Sequence, residues 1–119
     1  MTSLEILDTA ACCTPTTTSM STSDAERLAA TFKALGDPTR LKLLSIIARS
    51  EDQEACVCDL TEPVGLAQPT VSHHLKVLAE AGFVSRSKRG TWAYYRLESE
   101  ALHAVNEALR AGLLTSVGR

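Results

Sequence analysis

Hydrophobic positions along this chain recur with two different periods. From residue 23 to about 81, apolar side chains return every three or four residues, which is the spacing of one face of an α-helix. Between residues 83 and 97 they alternate with polar ones, as on a half-buried strand. The helical spacing then returns from about residue 99 to 114. The pattern predicts a mainly α fold with about five helices and a small β-hairpin.

Start and stop signals divide the helical part of the chain. Ser23-Asp24-Ala25-Glu26 fits a capping box, which predicts a first helix that begins there and ends at Gly36. Asp37-Pro38 predicts the start of a second helix, because aspartate caps helix N-termini and proline is favoured at the first helical position. A third, short helix is predicted from about Glu54 to Glu62, and a fourth from Gln68 to about Ala81.

Each predicted helix has an apolar face. The second helix is expected to bury a face formed by Leu41, Leu44, Ile47 and Ala48. Leu43 and Ile46 widen this face. The fourth is expected to bury Val71, Leu75 and Leu78. The last helix carries a stripe formed by Leu102, Val105, Leu109 and Leu113. Few other elements remain to cover that stripe, so we assign it to a homodimer interface.

The alternating segment predicts two strands around a basic tip, Lys88-Arg89-Gly90. A helix, a turn, a second helix and a hairpin are the outline of a winged helix-turn-helix. The net charge of −2 gives no overall attraction to nucleic acid. Between Val71 and Leu97, however, the only acidic residue is Glu80, and the basic residues are Lys76, Arg86, Lys88, Arg89 and Arg96. This local positive patch predicts that the fourth helix and the hairpin bind double-stranded DNA.

The roles of individual residues follow from their chemistry. In the major groove, the fourth helix would present to base edges the side chains of Gln68, Thr70, Ser72 and His73. Phosphates would be bound by Lys76, Arg86, Lys88 and Arg89. We expect His74 to be partly packed, and His103 to lie at the surface or an interface. No acid–base pair or phosphate loop accompanies the histidines, so we do not expect an enzyme.

Four cysteines are the remaining candidates for chemistry: Cys12, Cys13, Cys56 and Cys58. The chain has neither an apolar run long enough to span a membrane nor a secretion signal, so we expect a cytoplasmic protein without a membrane partner. In that compartment closely spaced thiols favour metal binding or redox chemistry over a structural disulfide. Residues 1–22 are poor in apolar side chains and predict a mobile tail that carries Cys12 and Cys13, followed by one domain over residues 23–119.

Three segments together resemble the ArsR/SmtB family of metal-responsive repressors: Ala34–Leu41, Cys56–Leu60 and Gln68–Leu78. The resemblance implies a homodimeric winged-helix repressor that sits on the promoter of a resistance operon and leaves when its inducer binds. The Cys-Val-Cys-Asp-Leu segment is similar to that of arsenite and cadmium/lead sensors. Other members bind zinc on the last helix through paired histidines and carboxylates, whereas this chain offers only His103 there.

One departure from the family pattern affects the ion site. The best-known arsenite sensors have a third cysteine three residues after the pair, where this chain has Thr61. We therefore predict that Cys12, Cys13 or both complete the site with Cys56 and Cys58, since soft ions select thiolates. Three sulfurs would suit trivalent arsenic or antimony, which we favour as the inducer. Four would suit cadmium, lead or zinc, and no permanent cofactor is expected.

Helix geometry suggests how such an ion would act. Residues two apart on a regular helix point about 200° apart. An ion bound to both Cys56 and Cys58 would therefore distort the third helix and tilt the recognition helix next to it. A redox repressor is the alternative, in which Cys12 or Cys13 forms a reversible disulfide with Cys56 or Cys58.

Overall fold

A computed structural model describes residues 19–114, with side chains to residue 113. In this range the chain forms five α-helices and three strands, in the order α1 (Thr22–Leu35), α2 (Pro38–Arg49), β1 (Glu54–Cys56), α3 (Thr61–Val64), α4 (Gln68–Glu80), β2 (Val84–Arg89), β3 (Trp92–Leu97) and α5 (Ser99–Leu109). A π-helical turn, Arg110–Leu114, follows α5. The predicted mainly α fold with a β-hairpin is confirmed. None of the described helices is long and apolar enough to cross a membrane.

The predicted tail falls mostly outside the described residues, and so do Cys12 and Cys13. Its C-terminal boundary needs a correction, because α1 begins at Thr22 and is capped by Ser21. The Ser21 hydroxyl accepts a hydrogen bond from the Asp24 amide at 3.1 Å. Ser23, the predicted cap, lies in the first turn. The serine-rich stretch offers two serines at capping distance from an acidic residue, and the helix uses the earlier one.

The second helix starts as predicted. Asp37 Oδ1 accepts hydrogen bonds from the amides of Thr39 at 2.7 Å and Arg40 at 3.2 Å, and Pro38 occupies the first helical position. Desolvation raises the pKa of the Asp37 carboxyl, but the two amide bonds and the charges of His74 and Arg40 outweigh it and hold the pKa below its ordinary value. The cap therefore stays ionised at neutral pH.

The core lies where α2 and α4 meet the sheet. Its fully enclosed side chains are Leu43, Ile47, Leu60, Val71, Leu75, Leu78 and Phe83. The three residues predicted for α4 are all buried. On α2 the predicted Leu43, Leu44 and Ile47 are buried, but the prediction is wrong for Leu41, which is 53% exposed. The run of apolar residues on α2 allows two overlapping stripes, and packing against α4 and β3 selects the one that contains Leu43 and Ile47.

The predicted third helix, Glu54–Glu62, is not formed. Glu54–Cys56 is instead a strand that pairs antiparallel with β3, with Ala55 opposite Tyr95 and Cys56 opposite Tyr94. A 3-10 turn, Val57–Asp59, follows it. The helix that comes next, α3, contains Pro63, which the prediction placed beyond the helix end. Proline is tolerated there because an amide in the first turn needs no helical partner.

The hairpin is the expected wing with one strand added. Its strands pair from Val84 with Leu97 to Arg89 with Trp92, so the turn is Gly90-Thr91, one residue beyond the predicted tip. Gly90 has a φ of 64°, a conformation that favours glycine. Because β1 joins the other side of β3, the sheet order is β1-β3-β2. The predicted two-stranded wing is therefore the outer part of a three-stranded sheet.

The difference between the two faces of α2 can be measured. Leu43→Ala removes an enclosed side chain of α2, so we expect it to lower the free energy of unfolding by about 2–5 kcal/mol. Leu41→Ala makes the same chemical change at an exposed site and should cost no more than about 0.5 kcal/mol. Urea denaturation followed by circular dichroism measures both. Equal losses would contradict the assignment of the buried face.

Candidate functional site

A basic cleft of about 630 Å³ separates α4 from the wing. Lys76 lies on the α4 wall, and Arg86 and Lys88 lie on the wall formed by β2. Their position follows from the two-residue period of a strand, since Arg86 and Lys88 stand opposite Tyr95 and Ala93 on the face that turns toward α4. Three of the predicted phosphate ligands thus meet in one cleft.

The polar side of α4 forms the rest of this surface. Val71, Leu75 and Leu78 bury one side of the helix, and the other carries the predicted base-reading residues. Gln68, Thr70, His73 and Lys76 are exposed, and Ser72 is half-buried. Gln68 and Ser72 line the cleft together with Lys76. A helix with one buried and one polar side, next to a basic hairpin, is suited to enter the major groove of DNA.

Arg89, the fourth predicted phosphate ligand, lies on the opposite face of the sheet. Its guanidinium binds the Glu54 carboxylate at 2.5 Å and stacks 4.5 Å from the centre of the Tyr94 ring. Period-two alternation along Lys88-Arg89 separates the two side chains, a signal that the sequence already contained. Its predicted phosphate contact stays a prediction, with its charge engaged by Glu54 in the free protein.

Arg40 is a residue whose role the sequence reasoning missed. Its Nε donates to the carbonyl of Ala34 at 2.6 Å, near the end of α1. Its Nη1 donates to Nδ1 of His74 at 3.2 Å. Arg40 therefore joins the end of α1 to the recognition helix, and the expectation that His74 is partly packed is confirmed. Arg40 lies in the Ala34–Leu41 segment that carries part of the family resemblance, but sequence alone does not indicate that its side chain reaches α4.

Cys56 and Cys58 form a disulfide, with their Cα atoms 5.1 Å apart. Cys56 ends β1 and is 3% exposed, whereas Cys58 lies in the following turn and is exposed. The Cys58 amide donates to Cys56 Sγ at 3.2 Å. The expectation that the two thiols point apart is wrong, because it assumed a helix. A strand end followed by a 3-10 turn folds back and brings both sulfurs to one side.

The thiol pair does not by itself make a complete metal site. Among residues 19–113, no group of three or more histidine, cysteine or acidic side chains is arranged to hold a metal ion. Thr61, which stands where arsenite sensors have a third cysteine, donates its hydroxyl hydrogen to the Cys58 carbonyl at 3.5 Å. The residue at position 61 is therefore next to the pair, and two sulfurs are what the described residues offer to a soft ion.

Comparisons with known proteins agree with this geometry. Residues 37–86 match the family described as "Bacterial regulatory protein, arsR family". A transcriptional regulator of Methanocaldococcus jannaschii is 41% identical over 80 residues, which cover 67% of this chain and 88% of the relative. The arsenical resistance operon repressor of Escherichia coli is 40% identical over 83 residues, covering 66% of this chain and 69% of the relative. The chain belongs to the ArsR family.

Other ArsR-family proteins extend the comparison. A cadmium resistance regulatory protein homologue of Staphylococcus aureus is 38% identical over 73 residues, covering 61% of this chain and 59% of the relative. The crystal structure of an ArsR family transcriptional regulator has a TM-score of 0.70 at 27% identity, covering 86% of this chain and 99% of that one. The family consists of DNA-binding regulators rather than enzymes, which confirms the prediction made from the missing acid–base pair.

The two faces of the wing give a matched test of the DNA surface. Arg86→Ala removes a cation from the cleft, so we expect weaker binding to all DNA and a slope of log K against log salt that is smaller by about 1. Arg96→Ala removes the same charge from the neighbouring strand β3. The strand register places Arg96 opposite Glu54 and Ser85, on the other face of the sheet. Fluorescence anisotropy with labelled DNA at several salt concentrations measures both.

Base reading is tested separately by Gln68→Ala and Ser72→Ala. Both should relax sequence preference, measured as the ratio of operator to random-sequence affinity, and leave the salt slope unchanged.

For the two arginine variants, a larger loss of DNA affinity in Arg96→Ala than in Arg86→Ala would contradict the assignment of the two faces of the wing.

Proposed function

We propose that this ArsR-family protein is a cytoplasmic homodimeric repressor that leaves operator DNA when trivalent arsenic or antimony binds Cys56 and Cys58. The observation that carries the proposal is the convergence of the two sulfurs beside the DNA-binding elements. An ion bound to both sulfurs, like a disulfide, requires the two side chains to lie on the same side of the chain. The name of the Escherichia coli relative supports arsenic, whereas that of the Staphylococcus aureus relative supports cadmium as the alternative inducer.

The ion would bind the reduced, deprotonated pair, since thiolates rather than disulfides are metal ligands. Two sulfurs leave trivalent arsenic one donor short. We propose that Cys12 or Cys13, from the same or the partner subunit, supplies the third. If both join, the four sulfurs would suit cadmium, lead or zinc. The choice of inducer therefore depends on how many tail thiols reach the pair.

Release from DNA would follow from the position of the pair between two DNA-binding elements. Cys56 is paired through β1 with the wing strand β3, and the turn that holds Cys58 leads through α3 to α4. An ion that moves either cysteine thus acts on the wing, on the recognition helix or on both. The ion must bind the DNA-free form more tightly, and DNA must weaken ion binding by the same factor.

The homodimer is proposed from the uncovered apolar surface of α1 and α5. Leu102 on α5 is exposed, and so are Phe32 on α1 and, by 63%, Leu113 in the π-helical turn after α5. An open groove of about 560 Å³ runs between the two helices, lined in part by Leu28 and Val105. A second copy that covers this surface would bury the α5 stripe and hold two recognition helices for two half-sites.

The disulfide favours a second candidate, a thiol-redox repressor. A peroxide would oxidise the Cys56 and Cys58 thiols to the disulfide and be reduced itself, so that two thiols and one hydrogen peroxide yield one disulfide and two waters. This differs from the predicted redox pairing, which joined a tail cysteine to the helix-turn-helix. The two candidate functions use the same sulfurs in opposite oxidation states.

Operator release in anaerobic, reducing buffer distinguishes the two candidates. We expect arsenite to lower operator affinity of the wild-type protein by about 5–150-fold, the usual range of coupling between sites. Cys56→Ser and Cys58→Ser should bind the operator normally and lose this response. Labelled-operator anisotropy with and without arsenite gives the ratio. Release by peroxide in air, with no response to arsenite or cadmium, would support the redox repressor instead.

The contribution of the tail is tested by replacing Cys12 and Cys13 with serine together. We expect the arsenite response to fall, because the pair then lacks its third sulfur. Adding Thr61→Cys to this variant places a thiol beside Cys58 and should restore the response. A full response in the Cys12→Ser/Cys13→Ser variant would show that the tail supplies no ligand.

The dimer surface is tested with a matched pair on α5. Leu102→Glu places a charge on the apolar stripe and should produce monomers that bind operator DNA at least tenfold more weakly, since half the contacts to DNA are lost. His103→Glu introduces the same carboxylate one residue further, at an exposed position, and should remain dimeric. Sedimentation equilibrium measures the assembly, and a dimeric Leu102→Glu variant would contradict the proposed interface.

A further inference from the structure

Three side chains on the outer face of the sheet form a cluster outside the cleft between α4 and the wing. Arg89, at the end of β2, crosses the ring of Tyr94 on β3 and reaches Glu54 on β1. The cluster therefore spans all three strands of the sheet in the order β2, β3, β1. It joins residues 35 positions apart in the chain. A contact of this reach fixes the end of the wing relative to β1.

The environment of the cluster makes the contact stronger than an ordinary surface ion pair. The Glu54 side chain is only 14% exposed, whereas that of Arg89 is 54% exposed. A carboxylate shielded in this way is poorly hydrated and gains more from a cation than an exposed one does. The flat guanidinium also gains from stacking on Tyr94, which an ammonium group would do less well.

The cluster adjoins the thiol pair. Glu54 and Cys56 lie two residues apart on β1, so their side chains share one face of the sheet. Tyr94, over which Arg89 stacks, is the residue directly opposite Cys56 in the β1–β3 register. Cys56 therefore lies next to both residues that Arg89 contacts: it is opposite Tyr94 and two residues from Glu54.

We propose that Glu54 is a positioning residue for DNA binding. By holding Arg89 it fixes the wing in the orientation that meets DNA, and it links the wing to the strand that carries Cys56. Free of DNA, the wing is already ordered, so less conformational entropy is lost when DNA binds. The second part, transmission from Cys56, rests on the proposed function, whereas the first does not.

The direction in which Glu54→Gln changes operator affinity separates this role from simple electrostatics. Glu54→Gln removes a negative charge near the DNA surface, and charge alone would make binding tighter. If Glu54 positions the wing, the same change frees Arg89 and weakens binding. We expect operator affinity to be about fivefold lower, the scale of the one ion pair that the substitution removes. The salt slope should stay unchanged, because no phosphate contact is lost.

A second variant separates positioning from a direct phosphate contact by Arg89. Arg89→Lys keeps the positive charge, so a phosphate ligand would retain most of its effect. A stacked guanidinium would not, because lysine lacks the planar group. We expect Arg89→Lys to weaken binding nearly as much as Arg89→Gln. The double variant Glu54→Gln/Arg89→Gln should be no weaker than Arg89→Gln alone, since the two residues act through one contact.

Glu51→Gln is the matched control, because it removes an equal charge from the turn just before β1. Its operator affinity should be unchanged or slightly higher. Trp92, the single tryptophan of the chain, stands opposite Arg89 in the hairpin and reports on the wing. In DNA-free protein, Glu54→Gln should lower the fluorescence anisotropy of Trp92, whereas Glu51→Gln should leave it near the wild-type value. The melting temperature of both variants should stay near that of the wild type.

The experiment is operator binding of these variants in reducing buffer without inducer, followed by the same titrations with arsenite. Weaker binding by Glu54→Gln with an unchanged salt slope supports positioning; binding equal to or tighter than that of Glu51→Gln overturns it. With arsenite, the fold-change in operator affinity should be at least threefold smaller in Glu54→Gln than in wild type. If arsenite does not release the wild-type protein, the proposed inducer is wrong, and the inducer-free comparison still decides the role of Glu54.

Discussion

Pairing of the three residues of β1 with the edge of β3 is the constraint on which the rest of the site depends. It extends Glu54–Cys56, so the segment leaves the strand through a tight turn rather than a helix. The turn brings the sulfur of Cys58 to that of Cys56. The same pairing places Glu54 within reach of Arg89. Without β1, the wing would be a two-stranded hairpin, and the edge of β3 that now pairs with Glu54–Cys56 would lack a partner.

The core supplies the second requirement, a recognition helix whose position is defined. Val71, Leu75 and Leu78 bury one side of α4 completely, so its polar side is presented in one orientation. Arg40 adds a polar contact from α2 to His74 on the same helix. Because the helix is held from its buried side, the cleft between α4 and β2 is free for DNA. Stability and recognition thus use opposite sides of one element.

The two faces of the wing separate tasks that a single basic patch would have combined. Arg86 and Lys88 turn toward α4, and Arg89 turns toward β1 and the thiols. One face is suited to phosphates, and the other carries the contact between Arg89 and Glu54. An ArsR-family chain whose net charge is slightly negative can therefore bind DNA through a local positive field.

The sequence by itself determined the elements whose signals are local. Asp37-Pro38 marks the start of α2, the spacing of Val71, Leu75 and Leu78 marks the buried side of α4, and alternation marks the hairpin, since each pattern depends on residues within a few positions. Tertiary structure decided what depends on distant partners. Glu54–Cys56 became a strand because β3 has a free edge there, and long-range pairing overrides the weak helical preference of so short a segment. The same pairing, 38 to 42 residues along the chain, is why the two sulfurs meet.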